Sequence, residues 1–157
     1  MRLDITARAL ALALAAAGLS GCSGGKGPFR IVQFCLTGPN EIPAFTAFMN
    51  EIAQENRMQF FDRSGQTHDE LQSLASDNKN VPVNERAVNI GAHQGDDFSF
   101  GAGNLGLPAR QIAIGFNGND LGAARAFSNA VVKKLSTRWR VHEVPEGRGA
   151  APLSRCT

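Results

Sequence analysis

No apolar run in this 157-residue chain is long enough to cross a bilayer as a helix. The longest run, residues 9–19, offers eleven positions. At about 1.5 Å per residue it covers only about half of a hydrocarbon core about 30 Å thick. The run argues against a permanent transmembrane helix. Because Arg2 and Arg8 precede it closely, it is typical of a cleavable signal peptide.

Cysteine is also scarce, with three residues in the chain. None of them stands in a C-x-x-C pair or at a Cys/His spacing typical of zinc sites, so we expect no structural metal and no cofactor. A P-loop, a Ser/His/Asp constellation and a pair of catalytic carboxylates cannot be assigned either. These absences favour a protein that binds over one that catalyses.

The first cysteine closes the apolar run. Leu19, Ser20, Gly21 and Cys22 together resemble the lipobox of bacterial lipoproteins. The resemblance implies that residues 1–21 are a signal peptide removed just before Cys22. It also implies that the Cys22 thiol carries a diacylglyceryl group and that the new amino group is acylated, with chains such as palmitate.

Two or three acyl chains anchor a protein stably without a spanning helix. The resemblance therefore implies a membrane-bound protein whose domain faces the periplasm. Ser23, at the position where the family's inner-membrane members carry aspartate, implies the outer membrane; the periplasmic face of the inner membrane and the cell surface are the alternatives. Residues 22–28 form the lipidated cysteine and a flexible tether, because their glycines and serine cannot build a core.

The other two cysteines, Cys35 and Cys156, form an even set in a compartment that permits disulfides. We expect them to pair and to hold the C-terminus against the strand that carries Cys35. A free buried Cys35 and a frayed C-terminal thiol are the alternative.

Residues 29–157 read as one α+β domain. Residues 29–36 predict a strand, and Asn40 and Pro43 predict the start of a helix with an apolar stripe from Ile42 to Ala53. Residues 58–61 predict a second strand. A helical stretch at residues 67–76, a polar loop at residues 77–84 and a strand at residues 87–92 follow.

The closing part repeats this order. Residues 111–116 predict a strand, Asp120 a helix cap, residues 121–137 a helix and residues 139–144 a half-exposed strand. Ile31 to Met58 and Ile112 to Trp139 span the same 27 residues. Two β-α-β units with an insertion between them predict a ferredoxin-like two-layer sandwich, with one sheet face free of helices. A flavodoxin-like parallel sheet is the competing architecture.

Two polar stretches resemble chemical sites. Gly101, Gly103 and Gly106 match G-x-G-x-x-G, but Pro108 and a strand follow where a dinucleotide site requires a helix, so we interpret the stretch as a loop. The second stretch contains His93, Asp96 and Asp97, which are candidate metal ligands or a general base. The alternative interpretation is a solvent-exposed polar loop without a chemical role.

Residues 112–144 are similar in rhythm to sporulation-related repeat (SPOR) domains, through the letters IAIGFNGNDLGAARAFSNAVVKKLSTRWRVHEV. This resemblance implies a periplasmic module that binds peptidoglycan glycan across its sheet. Residues 32–40 lack the family's glycine before the aromatic residue, and the long insertion is a further departure.

Positive charge concentrates near the C-terminus. Residues 22–124 hold seven basic and eleven acidic side chains, whereas residues 125–157 hold seven basic and two acidic. The simpler explanation of this charge is a solvent-exposed helix end, because cations near the C-terminus of a helix interact favourably with its dipole. The candidate contacts for an anionic envelope component, such as lipid headgroups or cell-wall carboxylates, are Lys133, Lys134, Arg138 and Arg140.

The sequence thus predicts a membrane-anchored periplasmic lipoprotein that acts as a non-enzymatic binding or assembly module. Its expected partners are the lipid bilayer, through acylated Cys22, and an envelope protein or cell-wall glycan; nucleic acid is not expected. A SPOR-like peptidoglycan-binding module and an immunity-type inhibitor are alternative forms. A small envelope hydrolase that uses the loop at residues 93–97 is the rival class.

The lipid anchor has a direct test. We expect mass spectrometry of the native product to find a chain that begins at Cys22 and carries acyl chains on its thiol and amino groups. A full-length chain with an unmodified thiol would contradict the anchor.

Overall fold

The structure is a computed structural model and describes residues 27–77 and 86–156. The predicted signal peptide, Cys22, the tether up to residue 26 and residues 78–84 of the predicted polar loop lie outside these residues. Along the described chain the elements are β1 (Arg30–Cys35), α1 (Ile42–Glu55), β2 (Gln59–Asp62), α2 (Ser64–Asp77), β3 (Asn89–Gln94), β4 (Phe98–Gly103), β5 (Gln111–Asn117), α3 (Leu121–Leu135) and β6 (His142–Val144).

The strands form one six-stranded sheet in the spatial order β2-β3-β4-β5-β1-β6. Every neighbouring pair is antiparallel. The predicted α+β class is therefore confirmed, and the parallel flavodoxin-like sheet is wrong. No helix of the described ranges is long and apolar enough to span a membrane.

Large apolar side chains occupy one face of the sheet. Because side chains alternate along a strand, Val32 and Phe34 of β1 lie beside Ile114 and Ile112 of β5 on that face. Helices α1 and α3 pack on it and complete the core. The apolar stripe predicted for α1 is buried, as its residues show: Ile42, Phe45, Phe48, Met49, Ile52 and Ala53.

Aromatic contacts hold the helices on this face. The Trp139 ring stacks on Phe34 at a centroid distance of 5.2 Å and meets Phe48 of α1 edge-on at 5.6 Å. On α3, Phe127 stacks on Phe98 of β4 at 4.7 Å. Because the Trp139 ring turns into the core, the last strand begins only at His142, later than the alternation of residues 139–144 predicts.

The two helix starts differ from one another. The Asp120 carboxylate accepts hydrogen bonds from the backbone N–H groups of Gly122 and Ala123, at 2.9 and 3.0 Å, and caps α3 as predicted. At α1 the predicted cap Asn40 is wrong. The N-cap is Glu41, whose carboxylate accepts instead from the Thr37 N–H at 2.7 Å.

A strand occupies residues 98–103, and its second half overlaps the loop that the sequence predicts at residues 101–106. In this strand, β4, Phe98, Phe100 and Ala102 face the helices and alternate with small residues on the other side. The glycines obscured this alternation, because glycine is ordinarily depleted in strands. Strand β3 likewise begins at Asn89, two residues later than predicted.

Residues 145–156, which we call the C-terminal segment, return across the second face of the sheet. Gln33 accepts from the Ala151 N–H at 3.2 Å, and Gln111 donates to the Ala151 carbonyl at 2.7 Å. Cys156 forms a disulfide with Cys35, with the Cα atoms 5.4 Å apart. The segment thereby covers the second face over β1 and β5, so this face is only partly free.

Removal of the disulfide should destabilise the fold. The bridge joins residues 121 positions apart, and bridges of this kind typically contribute about 2–4 kcal/mol, in part by restricting the unfolded chain. We expect the double variant Cys35→Ala, Cys156→Ala to lose about 3 kcal/mol of unfolding free energy in urea denaturation.

Wild type treated with dithiothreitol serves as the control and should lose a similar amount. An unchanged urea midpoint in the double variant would show that the bridge does not hold the C-terminal segment in place.

Candidate functional site

The second face of the sheet has a floor of glycine between β3 and β5. Gly91, Gly101 and Gly115 are cross-strand partners in three adjacent strands, and we call them the glycine row. They lie opposite the core because they alternate with core side chains. Since glycine has no side chain, the row forms a shallow furrow about 10 Å long from the first strand to the third.

Two rings border the furrow. A Cβ atom added at Gly91 would lie 2.5 Å from Phe61 Cζ, so the Phe61 ring rests directly on this glycine. At Gly115 an added Cβ would lie 3.2 Å from the Cβ of Pro28. At Gly101 no described atom lies within 4 Å of such a Cβ. The middle of the furrow is therefore open.

Polar side chains run beside the glycine row. Gln59, His93, Ser99 and Asn117 are successive cross-strand partners in β2, β3, β4 and β5, and we call them the polar row. They offer amide, imidazole and hydroxyl groups that donate and accept hydrogen bonds. No hydrogen bond joins these side chains to other protein groups within the described chain. Gln59 and His93 are exposed, Ser99 is half-buried and Asn117 is buried, so the first three are accessible to a ligand. The glycine row and the polar row together form what we call the open face.

Few large apolar side chains are exposed on the described surface. They are Phe61 in β2, Leu74 in α2 and Leu121 at the start of α3. Contiguous apolar patches of several hundred Å² mark surfaces that dock proteins. The open face instead combines polar groups with one aromatic ring at its border.

The candidate catalytic residues do not converge in a cleft. His93 belongs to β3 and to the polar row, whereas Asp96 and Asp97 lie in the exposed turn before β4. Within residues 27–77 and 86–156, no three His, Cys, Asp or Glu side chains are placed to hold a metal ion. Gly101 and Gly103 lie inside β4, and the next element is strand β5 rather than the helix that a dinucleotide site requires.

The four candidate anion contacts do not form one cluster. Lys134 pairs with Glu55 of α1, and the Arg138 guanidinium lies over the Phe48 ring at 4.4 Å from its centroid. Lys133 and Arg140 are exposed, the first in the last turn of α3 and the second just before β6. Two of the four cations are therefore already engaged within the protein.

Two side chains near the end of β1 have shifted pKa values. The backbone hydrogen bond from Thr37 holds the pKa of Glu41 below its usual value, against an opposing effect of burial. Burial lowers the pKa of His142, and the positive charges of Arg155 and Arg140 lower it further. The Nε2 atom of His142 is shielded from solvent and has no hydrogen-bond partner in the described chain.

The sequence predicted a sheet face free of helices, but not the residues that form the open face. One signal was present, since Ser99, Gly101 and Gly103 alternate with Phe98, Phe100 and Ala102 as on a strand with one apolar face. The meeting of Gly91, Gly101 and Gly115 depends on strand register, which no local pattern contains.

Comparison with known proteins adds no relative: no protein-family model matches the chain, and no curated protein matches its sequence.

His142 should make the stability of the fold depend on pH. Its pKa is lowered in the folded state, so the unfolded state, with a His pKa of about 6.5, binds the proton more readily. The contribution of His142 to the free energy of unfolding is therefore fully present above a pH of about 6.5. It is lost as the pH drops through the folded-state pKa. We expect the urea midpoint of wild type to fall between pH 7.5 and 5.5 and that of His142→Gln to fall less. Equal slopes in the two proteins would refute this role.

Proposed function

We propose that this protein is a lipid-anchored periplasmic binding module, without catalytic activity, that binds its ligand on the open face of its sheet. The lipobox-like pattern that ends at Cys22 supports the anchor, and Ser23 supports the outer membrane as its location. The disulfide between Cys35 and Cys156 agrees with an oxidising compartment.

We further propose that the fold is ferredoxin-like. The antiparallel strands β6-β1-β5-β4 would form its four-stranded sheet, with α1 and α3 on one face. Strand β2, helix α2 and strand β3 would then be the insertion, which widens the sheet on the β4 side. This assignment leaves the second face as the natural site for a ligand, since both core helices pack on the first.

The observation that carries the proposal is the open space above Gly101. Glycine in a strand interior costs about 0.5–1 kcal/mol relative to alanine. Gly91 is required by the Phe61 ring, but no described atom requires a glycine at position 101. Close approach of a ligand is a recognised reason for glycine in a strand.

The chemistry of the open face favours a neutral, hydroxyl-rich ligand. The polar row presents amide, imidazole and hydroxyl groups that can hydrogen-bond to hydroxyls. The partly exposed Phe61 ring at its edge rests on Gly91 and carries the Arg63 guanidinium 5.4 Å from its centroid. Other folds bind oligosaccharides across strands in a comparable way. Cell-wall glycan is therefore the ligand we propose, in agreement with the similarity of residues 112–144 to SPOR domains.

A bulkier residue at position 101 should block the site without unfolding the domain. Valine favours strands, and no described atom lies within 4 Å of a Cβ added at Gly101. We expect Gly101→Val to melt at or above the wild-type temperature. In a sedimentation assay with purified cell-wall sacculi, we expect the full-length variant to bind at least tenfold more weakly than wild type.

Gly65→Val is the matched control, because Gly65 lies in α2 and an added Cβ there also meets no described atom. This control should bind like wild type. Unchanged binding by a folded Gly101→Val would remove the open face as the binding site. A wild-type protein that does not sediment with sacculi would remove the glycan as its ligand.

A further inference from the structure

The two ends of the sheet differ in charge. We call the end where β1 begins the anchor end, because Pro28 lies there against Gly115 and continues into the tether. The opposite end, where β1 ends at Cys35, we call the arginine end. Since every pair of neighbouring strands is antiparallel, each connection between elements can be assigned to one end.

Arginines cluster at the arginine end. Arg110 directly precedes β5, and its guanidinium donates to the carbonyls of Cys156 and Arg155 at 3.0 and 3.1 Å. Arg63 directly follows β2, and its backbone N–H donates to the carbonyl of Asn89, the first residue of β3.

Three more arginines share this end. The carbonyl of Arg86 accepts from Asn104, which directly follows β4. Arg138 and Arg140 flank Trp139, whose ring stacks on Phe34 near the end of β1. Together with Arg63, Arg110 and Arg155, these three make six arginines at this end. Five of them lie in four separate connections between elements, and Arg155 lies in the C-terminal segment.

Carboxylates are distributed the other way. Asp96 and Asp97 lie in the β3–β4 turn and Asp120 follows β5, all at the anchor end. At the arginine end, Glu41 and Asp62 are bound to backbone N–H groups of their own loops, at 2.7 and 2.8 Å. The arginine end therefore carries an excess of positive charge, whereas at the anchor end Arg30, Arg57 and Arg148 offset the carboxylates.

The length of the tether decides which way the positive end points. Residues 22–27 are six residues and span at most about 21 Å when fully extended. Strand β1 is also six residues, about 20 Å. To bring the arginine end to the anchoring bilayer, the tether would have to run straight back along the whole strand and would have no length left. A tether of this length therefore disfavours contact between the arginine end and that bilayer.

We infer that the arginine end binds the carboxylate groups of the cell wall, across the periplasm from the anchoring membrane. This inference rests on the lipid anchor of the proposed function but not on the open face. Arginine suits the ligand, because the planar guanidinium binds a carboxylate through two parallel hydrogen bonds. The binding is electrostatic and weakens with salt, unlike hydrogen bonding to neutral sugar hydroxyls.

The test uses the mature lipidated protein in neutral detergent. Binding is measured by sedimentation with purified sacculi and with sacculi whose carboxylates have been converted to neutral amides. The variant is the triple substitution Arg86→Gln, Arg140→Gln, Arg155→Gln, since these three side chains are exposed. We expect it to bind intact sacculi at least tenfold more weakly than wild type in low salt, and wild type to bind amidated sacculi as weakly.

The matched control removes the same charge elsewhere. Arg57, Arg125 and Arg148 are exposed, and Arg57→Gln, Arg125→Gln, Arg148→Gln should bind like wild type. Equal loss in both triple variants, undiminished binding to amidated sacculi, or a preference for added phosphatidylglycerol vesicles would each overturn the inference. The two surfaces can be tested separately with Gly101→Val. If this variant binds more weakly and its remaining binding still falls with salt, the remaining binding comes from the arginine end.

Discussion

The two-residue period of the strands places the large apolar side chains on one face of the sheet. Phe34, Phe100 and Phe116 all point toward the helices, and Trp139 and Phe127 pack against them. Because the helices are drawn to that face, the second face must be stabilised by other means. Over β1 and β5 this is the C-terminal segment, held by the Gln33 and Gln111 side chains and by the disulfide. Over β3 the Phe61 ring covers Gly91 and helix α2 contacts Asn89, so the uncovered part of the second face is the space above Gly101 of β4.

The uncovered part is unusual because it is flat. A half-exposed antiparallel sheet normally carries polar side chains on its solvent face, and these would favour the strand conformation. Gly91 gives up its side chain so that the Phe61 ring can lie across it, and Gly115 does so beside Pro28. Gly101 has the same cost to the stability of its strand, but no neighbouring described atom requires a glycine there. This difference between otherwise similar glycines is the basis of the proposed ligand role of Gly101.

The arrangement also separates two surfaces of different chemistry. The open face offers neutral hydrogen-bonding groups beside an aromatic ring, whereas the arginine end offers guanidinium groups beyond the last residues of the strands. The open face begins near Pro28 and therefore near the tether, and the arginine end lies one strand length farther away. Under the proposed function, such a domain would contact an extended polymer at two points, one independent of salt and one dependent on it.

Local sequence predicted the elements whose side chains follow one strong period. The apolar stripe of α1, the Asp120 cap of α3 and the β-formers of β1 and β5 each lie within one short window, and the structure has these elements. Strand β4 was missed because its second face is glycine and serine, so only three residues carried the signal. Asn40 failed as a cap because Glu41 takes the N-cap position and binds Thr37 instead.

By itself, then, the sequence determined the α+β class, the charge asymmetry and the helices, because each depends on residues close together in the chain. Tertiary structure alone decided the register that aligns Gly91, Gly101 and Gly115, the path of the C-terminal segment and the collection of arginines at one end. These features join residues that are far apart in the chain. Their meeting depends on which strands pair and in what register, and that is fixed by burial of the whole apolar face rather than by any local pattern.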